Sequence, residues 1–267
     1  MAAERPVVNV ASWVAERVQF VDVLGVPVCS VDLRRAVDLL DDAIQTRQSL
    51  QVGVINAAKV VNMSTDATLR HAVLSSDVIF ADGMSIVWAS RILGVPLPER
   101  VTGIDLMMAL LARGQERGYR VFCLGATEAV SARVVEIIER DFPGVKVVGR
   151  QHGYYSNEDE VMVVETIAAA RPDLLLVAMT SPKKENFLAT WGARLNTIVT
   201  HGVGGSFDVL AGEVQRAPRV WQALGLEWLY RVKQEPRRLW KRYFVTNIAF
   251  CWLVIRAFAG RESRGSA

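Results

Sequence analysis

Short runs of consecutive apolar residues alternate along this chain with longer stretches whose apolar positions recur at helical spacing. The runs at 52–55, 78–81, 119–124, 145–148, 174–179 and 197–200 predict strands, because an uninterrupted apolar run of that length is what a strand buried on both faces requires. Helical spacing predicts a helix opening at Ala57 and further helices over 67–74, 84–93, 104–117, 128–141, 158–170 and 183–195. Upstream, 20–23 and 26–29 read as two short strands around Gly25, followed by a helix over 31–45, after a start expected to be mobile. Apolar strands alternating with longer helices predict an α/β fold: a Rossmann-like, mostly parallel sheet with helices on both faces. That domain is expected to occupy residues 1–212, with a helical, basic C-terminal appendage over 213–267.

Composition changes this picture mainly at the C-terminal end. A chain of 267 residues that is 51% hydrophobic can bury one large core and a small addition, and is too apolar to be disordered. The net charge is only +3, yet from Arg216 onward eleven Lys and Arg face three Asp and Glu, a local +8 on a domain of −5. Such asymmetry points to an anionic partner: a phosphorylated ligand, an anionic membrane or nucleic acid. Residues 244–255 then run for twelve positions without a charge, short of the about twenty a membrane-spanning helix needs. With Trp240, Tyr243, Trp252 and flanking arginines, the segment is expected to lie at a bilayer interface. Glu4 and Arg5 stand where a secretory leader would need an apolar run, so a cytoplasmic protein is expected. The three cysteines, Cys29, Cys123 and Cys251, are widely spaced among apolar neighbours and read as reduced thiols.

The candidate chemistry sits where predicted strands end. Val78-Ile79-Phe80-Ala81 runs into Asp82-Gly83, which places a carboxylate at the carboxyl edge of the sheet, where open α/β sheets bind ligands. The alternative is that Asp82 caps the helix beginning near Met84. Asn56 occupies the corresponding position one strand earlier. Gly125, and Gly204 and Gly205 ahead of Asp208, lie in strand-to-helix turns that either hold phosphate on backbone N–H groups or simply pack tightly. His201 is either a general base or a hydrogen-bonded structural residue. No Asp-x-Asp and no spaced histidine pair occurs, so no metal site is expected, and a diphosphate would have to be met by cations. Arg231, Arg238 and Lys241 or Arg242 recur at roughly helical spacing in the appendage, as a ligand-facing set or as a solvated basic face.

Taken together, these stretches resemble the WecG/TagA/CpsF glycosyltransferases, family 26 of the sequence classification. The resemblance runs from about Val21 to Tyr243. It rests on Asn56-Ala57 with Lys59-Val60-Val61, Ala81-Asp82-Gly83, Glu99-Arg100-Val101-Thr102-Gly103-Ile104-Asp105-Leu106 and Gly202-Val203-Gly204-Gly205-Ser206-Phe207-Asp208. Arg216-Ala217-Pro218, Leu226-Glu227-Trp228-Leu229-Tyr230-Arg231 and Gln234-Glu235-Pro236-Arg237-Arg238 complete it. It implies an inverting, metal-independent transfer of a sugar from a UDP-sugar to a polyprenyl-diphosphate-linked saccharide, at the cytoplasmic face of the membrane and with no further cofactor. It also implies Asp82 as general base, Asn56 and Arg100 in the same pocket, Arg231 and Arg238 closing on it from the appendage, and Asp208 at the nucleotide edge. Two positions depart from the family pattern: Val54 replaces a threonine, and Lys184 replaces a glutamine in Thr180-Ser181-Pro182-Lys183-Lys184-Glu185, adding a cation beside the donor site. The rival readings are a nucleotide-cofactor oxidoreductase, which lacks the glycine fingerprint, a non-catalytic membrane adaptor and, weakest, a nucleic-acid binder.

Overall fold

The computed structural model describes residues 10–265; the side chains of Ala223, Arg238, Arg242 and residues 261–265 lie outside that description. Among the described residues eight strands form: β1 (Phe20–Asp22), β2 (Pro27–Cys29), β3 (Leu50–Ile55), β4 (Val78–Ala81), β5 (Arg120–Gly125), β6 (Lys146–Gln151), β7 (Leu174–Ala178) and β8 (Val199–Gly202). The last six make one parallel sheet in the order β4-β3-β8-β7-β5-β6, while β1 and β2 form a separate antiparallel hairpin. The α/β fold expected from the alternation is the fold observed. Leu24 and Gly25, both at positive φ, make the hairpin's two-residue turn, the combination whose twist suits adjacent strands.

The period of two along the strands decides what lies on each face. Val52, Val54, Val78, Phe80, Val121, Cys123, Leu174 and Leu176 join one large cluster that covers a whole face of the sheet. Their neighbours on the opposite face divide: Ile55, Ile79 and Ala81 enter a cluster with the hairpin, and Phe122, Leu124, Leu175 and Val177 enter another. A seam therefore separates the two halves of that face. Register then sets the edge: Ile55 pairs with Ala81, so Asn56 and Asp82 leave the sheet side by side, while His201 pairs with Val52 and lies deeper.

The N-terminal stretch expected to be mobile contains a helix, Val10–Ala15, that buries Trp13 and Val14, with the Arg17 guanidinium stacked 4.0 Å from the Trp13 ring centroid. Its six residues are too few for periodicity to register. The helix expected over 183–195 ends as an α-helix at Trp191 and continues as a tighter turn over Gly192–Arg194.

Beyond Gly212 the chain forms helices Arg219–Ala223, Glu227–Gln234 and Pro236–Gly265. Pro236 starts the last of these rather than breaking it, as a proline without an N–H does at a first helical position. The helix runs for 30 residues, and its Leu239–Gly260 portion is long and apolar enough, by length and composition alone, to cross a membrane. Counting uncharged residues stops at Arg242 and Arg256; a helical window that tolerates two charges does not. One face of this helix is spent on the domain: Thr246, Phe250 and Val254 are buried, and Phe250 and Val254 join the hairpin cluster with Val60 and Met63 of helix Ala57–Met63. Trp240, Phe244, Ile248, Trp252, Ile255 and Phe258 face outward.

This packing predicts the effect of truncating Phe250 and Val254 together to alanine. A buried Phe→Ala change alone costs about 3–5 kcal/mol, so amide exchange across the C-terminal helix should accelerate while β3 and β4 keep their protection. Unchanged exchange in the helix would show that its docking does not depend on this face.

Candidate active site

Asp82 does not cap the helix that follows it. That helix, Met84–Ile92, starts from Gly83 with no side-chain cap. The Asp82 Oδ1 instead accepts the Gly103 amide at 2.9 Å, at the first turn of helix Gly103–Arg117, whose cap is Thr102. The Gly103 carbonyl in turn lies 2.9 Å from Nε2 of the buried His201. With a carbonyl as partner, Nε2 carries the proton and donates it. Burial, reinforced by the Lys184 charge, brings the His201 imidazole down to about 4, so it is neutral and already engaged. Of the two readings of His201, the structure selects the hydrogen-bonded one: it positions Gly103, and Gly103 positions Asp82.

Burial also pushes the Asp82 carboxyl above the usual aspartate range, against the Gly103 amide and the cations Lys59, Arg231 and Lys184, which favour its charged form. Asn56 stands beside it as the cap of helix Ala57–Met63, its Oδ1 accepting the Lys59 amide at 3.0 Å.

Behind these two residues, the seam between the half-clusters is filled by charge. Lys59 Nζ donates to the Val54 carbonyl and to Glu185 Oε1, both at 2.8 Å, and Lys184 Nζ is 3.5 Å from the same carboxylate oxygen. All three side chains are buried. Burial opposes the ionisation of Glu185, yet Lys59 and Lys184 together hold it down to about 2. Burial and the Lys59 charge bring the Lys184 ammonium down to about 8. The Lys184 methylenes occupy the space next to Gly202: a Cβ added there would come within 2.7 Å of them. Its ammonium thus lies under the turn that carries Gly204 and Gly205. Gly204 has φ +54, and Asp208 follows on helix Ser206–Leu210, its carboxyl raised chiefly by burial.

The appendage reaches the same edge. Arg100 pairs with Glu227 at 2.5 Å, and Arg216 with Asp105 at 2.7 Å, its Nε 3.8 Å from the other oxygen of Glu227. Asp105 also accepts the Thr102 hydroxyl at 2.6 Å. Arg231, exposed on helix Glu227–Gln234, acts on both Asp82 and Asp208, lowering each carboxyl. Arg238 falls in the first turn of the last helix, with its side chain outside the described residues. Gly125 is needed for packing: at φ +125, an added Cβ would meet the Ala178 carbonyl oxygen at 2.3 Å. Lys59, Glu185, Asp105 and Glu227 have no role that their place in the sequence makes legible. Pairs such as Lys59 with Glu185, 126 positions apart, carry no spacing signal. The only hint is a carboxylate inside an otherwise matched motif.

Among the described residues no three His, Cys, Asp or Glu side chains converge on a possible metal position. What converges at the strand ends is the half-buried Asp82 carboxylate, the Asn56 amide and the cations Lys59, Lys184 and Arg231, with the Glu185 carboxylate buried beneath them. The family profile for the "Glycosyl transferase WecG/TagA/CpsF family" matches residues 21–264, reaching past Tyr243 through most of the last helix. A relative from Bacillus spizizenii strain W23, named N-acetylglucosaminyldiphosphoundecaprenol N-acetyl-beta-D-mannosaminyltransferase, is 41% identical over 173 residues, 64% of this chain. The chain spans 66% of that relative's length, slightly under two thirds. With a profile covering nearly the whole sequence and the motif residues gathered at one sheet edge, this chain belongs to the WecG/TagA/CpsF glycosyltransferase family.

Proposed function

We propose that the protein transfers a hexosyl or N-acetylhexosaminyl group from a UDP-sugar to a polyprenyl-diphosphate-linked saccharide, with inversion and without a metal, in the assembly of a surface or extracellular polysaccharide. The observation that carries this reading is the Asp82 carboxylate, held through Oδ1 at the sheet edge and faced by Arg231 from the appendage. The relative's name, with its diphosphoundecaprenol-linked acceptor, supports the acceptor class. Family membership leaves the oxidoreductase reading without support.

In this mechanism Oδ2 of Asp82 takes the proton of the acceptor hydroxyl as its oxygen bonds to the anomeric carbon. The bond from that carbon to the UDP oxygen breaks, and its electron pair leaves on the diphosphate. Direct displacement turns an α-linked donor into a β-linked product. Negative charge growing on the diphosphate is met by Arg231, by Arg238 and by the Lys184 ammonium beneath Gly204 and Gly205, in place of a cation bound by carboxylates. Lys184 distinguishes this chain from the family pattern, so the donor sugar need not be the relative's. The membrane reading places the protein peripherally on the cytoplasmic face. The burial of Phe250 and Val254 against the domain supports a helix lying in the interface rather than across it, its outer aromatic and aliphatic stripe turned to the lipid.

Asp82→Asn is expected to keep the fold and UDP binding and to lower turnover by about two orders of magnitude or more, measured as UDP release in the presence of EDTA. The working form of Asp82 is the carboxylate, so activity falls as pH drops through a pKa that lies above the ordinary aspartate value. Arg231→Gln removes a cation that favours that carboxylate, so the acid limb of kcat/KM should move to higher pH while kcat falls. An acid limb that stays put would take Arg231 away from Asp82.

Lys184→Gln is expected to raise the donor KM, or to reorder the accepted UDP-sugars, by the about 1.5–3 kcal/mol of a charge-assisted contact. Identical kinetics with every donor would make Lys184 only the partner of Glu185. For the membrane, Ile248→Glu with Trp252→Glu should abolish vesicle binding and spare turnover on a water-soluble, short-chain acceptor. Arg231→Ala should do the reverse.

A further inference from the structure

A second cleft, of about 420 Å³, lies away from the strand ends, between the β1–β2 hairpin, helix Ala57–Met63 and the far end of the C-terminal helix. Its walls are apolar, from Leu24, Val60, Met63 and Leu253, and two arginines, Arg70 and Arg256, line it. Neither arginine makes an ion pair among the described residues. Arg70 donates only to the Gly25 carbonyl, at 3.3 Å. The one carboxylate in the lining, Asp22, accepts the amide of Gly25 at 3.0 Å within its own hairpin. The hairpin tip is held here at a conformational cost, since Leu24 sits at φ +56, which a leucine rarely adopts.

The place of the cleft along the helix identifies its ligand. Arg256 follows Trp252 by four positions, so on the helix surface it adjoins the outward apolar stripe. Trp252 is 65% exposed and Ile255 60%. Leu253 and Ala257, on its other side, turn into the cleft. A molecule with a phosphate between two guanidiniums and hydrocarbon running out over the stripe fits both surfaces at once. A free phosphorylated metabolite would leave the stripe uncovered. We propose that this cleft binds the headgroup of an anionic phospholipid of the membrane itself, separately from the donor and acceptor sites. It would fix the far end of the helix on the bilayer and so hold the strand-end edge at a defined height. This rests on the membrane docking proposed above.

The test uses the full-length protein and dihexanoyl phosphatidylglycerol below its micelle concentration, followed by calorimetry and tryptophan fluorescence. Saturable binding is expected, with dihexanoyl phosphatidylcholine and glycerol phosphate each at least tenfold weaker. Arg70→Gln with Arg256→Gln should weaken it about 30-fold, the scale of two basic residues at a lipid surface. Ala257→Trp, which fills the cleft and leaves both charges, should weaken it as much without changing turnover on a soluble acceptor. Arg34→Gln, an exposed arginine on the opposite face, should change nothing. Binding unaffected by either cleft variant, or glycerol phosphate binding as tightly as the lipid, would overturn the proposal. A parallel sedimentation with vesicles separates the two levels. Wild type that binds no vesicle of any composition overturns membrane docking altogether; wild type that binds vesicles, with an Ala257→Trp variant that keeps the same preference for phosphatidylglycerol, overturns only the cleft.

Discussion

The ion pair between Lys59 and Glu185 holds together the part of the molecule on which the candidate chemistry stands. The sheet face carrying the hairpin is covered by two separate apolar clusters, and the strip between them lies under the carboxyl ends of β3 and β8. An ammonium there needs a carboxylate and a carbonyl, and Lys59 has both, at 2.8 Å each. Removing the Glu185 carboxylate would leave two buried ammonium groups without a counter-ion, a loss of about 3–5 kcal/mol in comparable sites. The same carboxylate is also the nearest anion to Lys184, which ties the helix Lys183–Trp191, and with it the Gly202–Gly205 turn, to the helix that Asn56 caps. Glu185 Oε2 has no hydrogen-bond partner among the described residues.

Above this base, Asp82 is set by tertiary contacts alone. His201 from β8 holds the Gly103 carbonyl, and the Gly103 amide holds Asp82 from β4, so one residue at the start of a helix links two strands separated in the sheet by β3. The appendage is attached by two physically different means. Charges join it at the edge through Arg100, Glu227, Arg216 and Asp105, and an apolar helix face joins it along Phe250 and Val254. Salt screens exposed charges and hardly touches a buried apolar face. The half-buried ion pairs at the edge feel salt less than exposed ones would, and the apolar face is insensitive to it, so both attachments persist at physiological ionic strength.

The C-terminal helix illustrates how far a linear reading reaches. Its amphipathic character, its basic start and its aromatic content were legible in the sequence, whereas its length was not, because Pro236 reads equally as a break and as a beginning. Which apolar positions face the domain depended on where the hairpin and helix Ala57–Met63 lie, and no local pattern encodes that. The cleft containing Arg70 and Arg256, 186 positions apart, is likewise a product of packing.

The sequence by itself determined the elements, the parallel sheet, the strand-end positions of Asn56 and Asp82, and the family. Each of these follows from periodicity, from the abrupt change of residue type where a buried strand reaches solvent, or from ordered motifs. Only the tertiary structure decided that Asp82 serves a distant amide instead of its own helix, that His201 is a neutral support, that Gly125 is required by Ala178, and that Lys184 is a buried ammonium shared with Glu185. Those outcomes depend on desolvation and on partners brought together across the sheet, and burial is a property that a residue acquires from its neighbours in space.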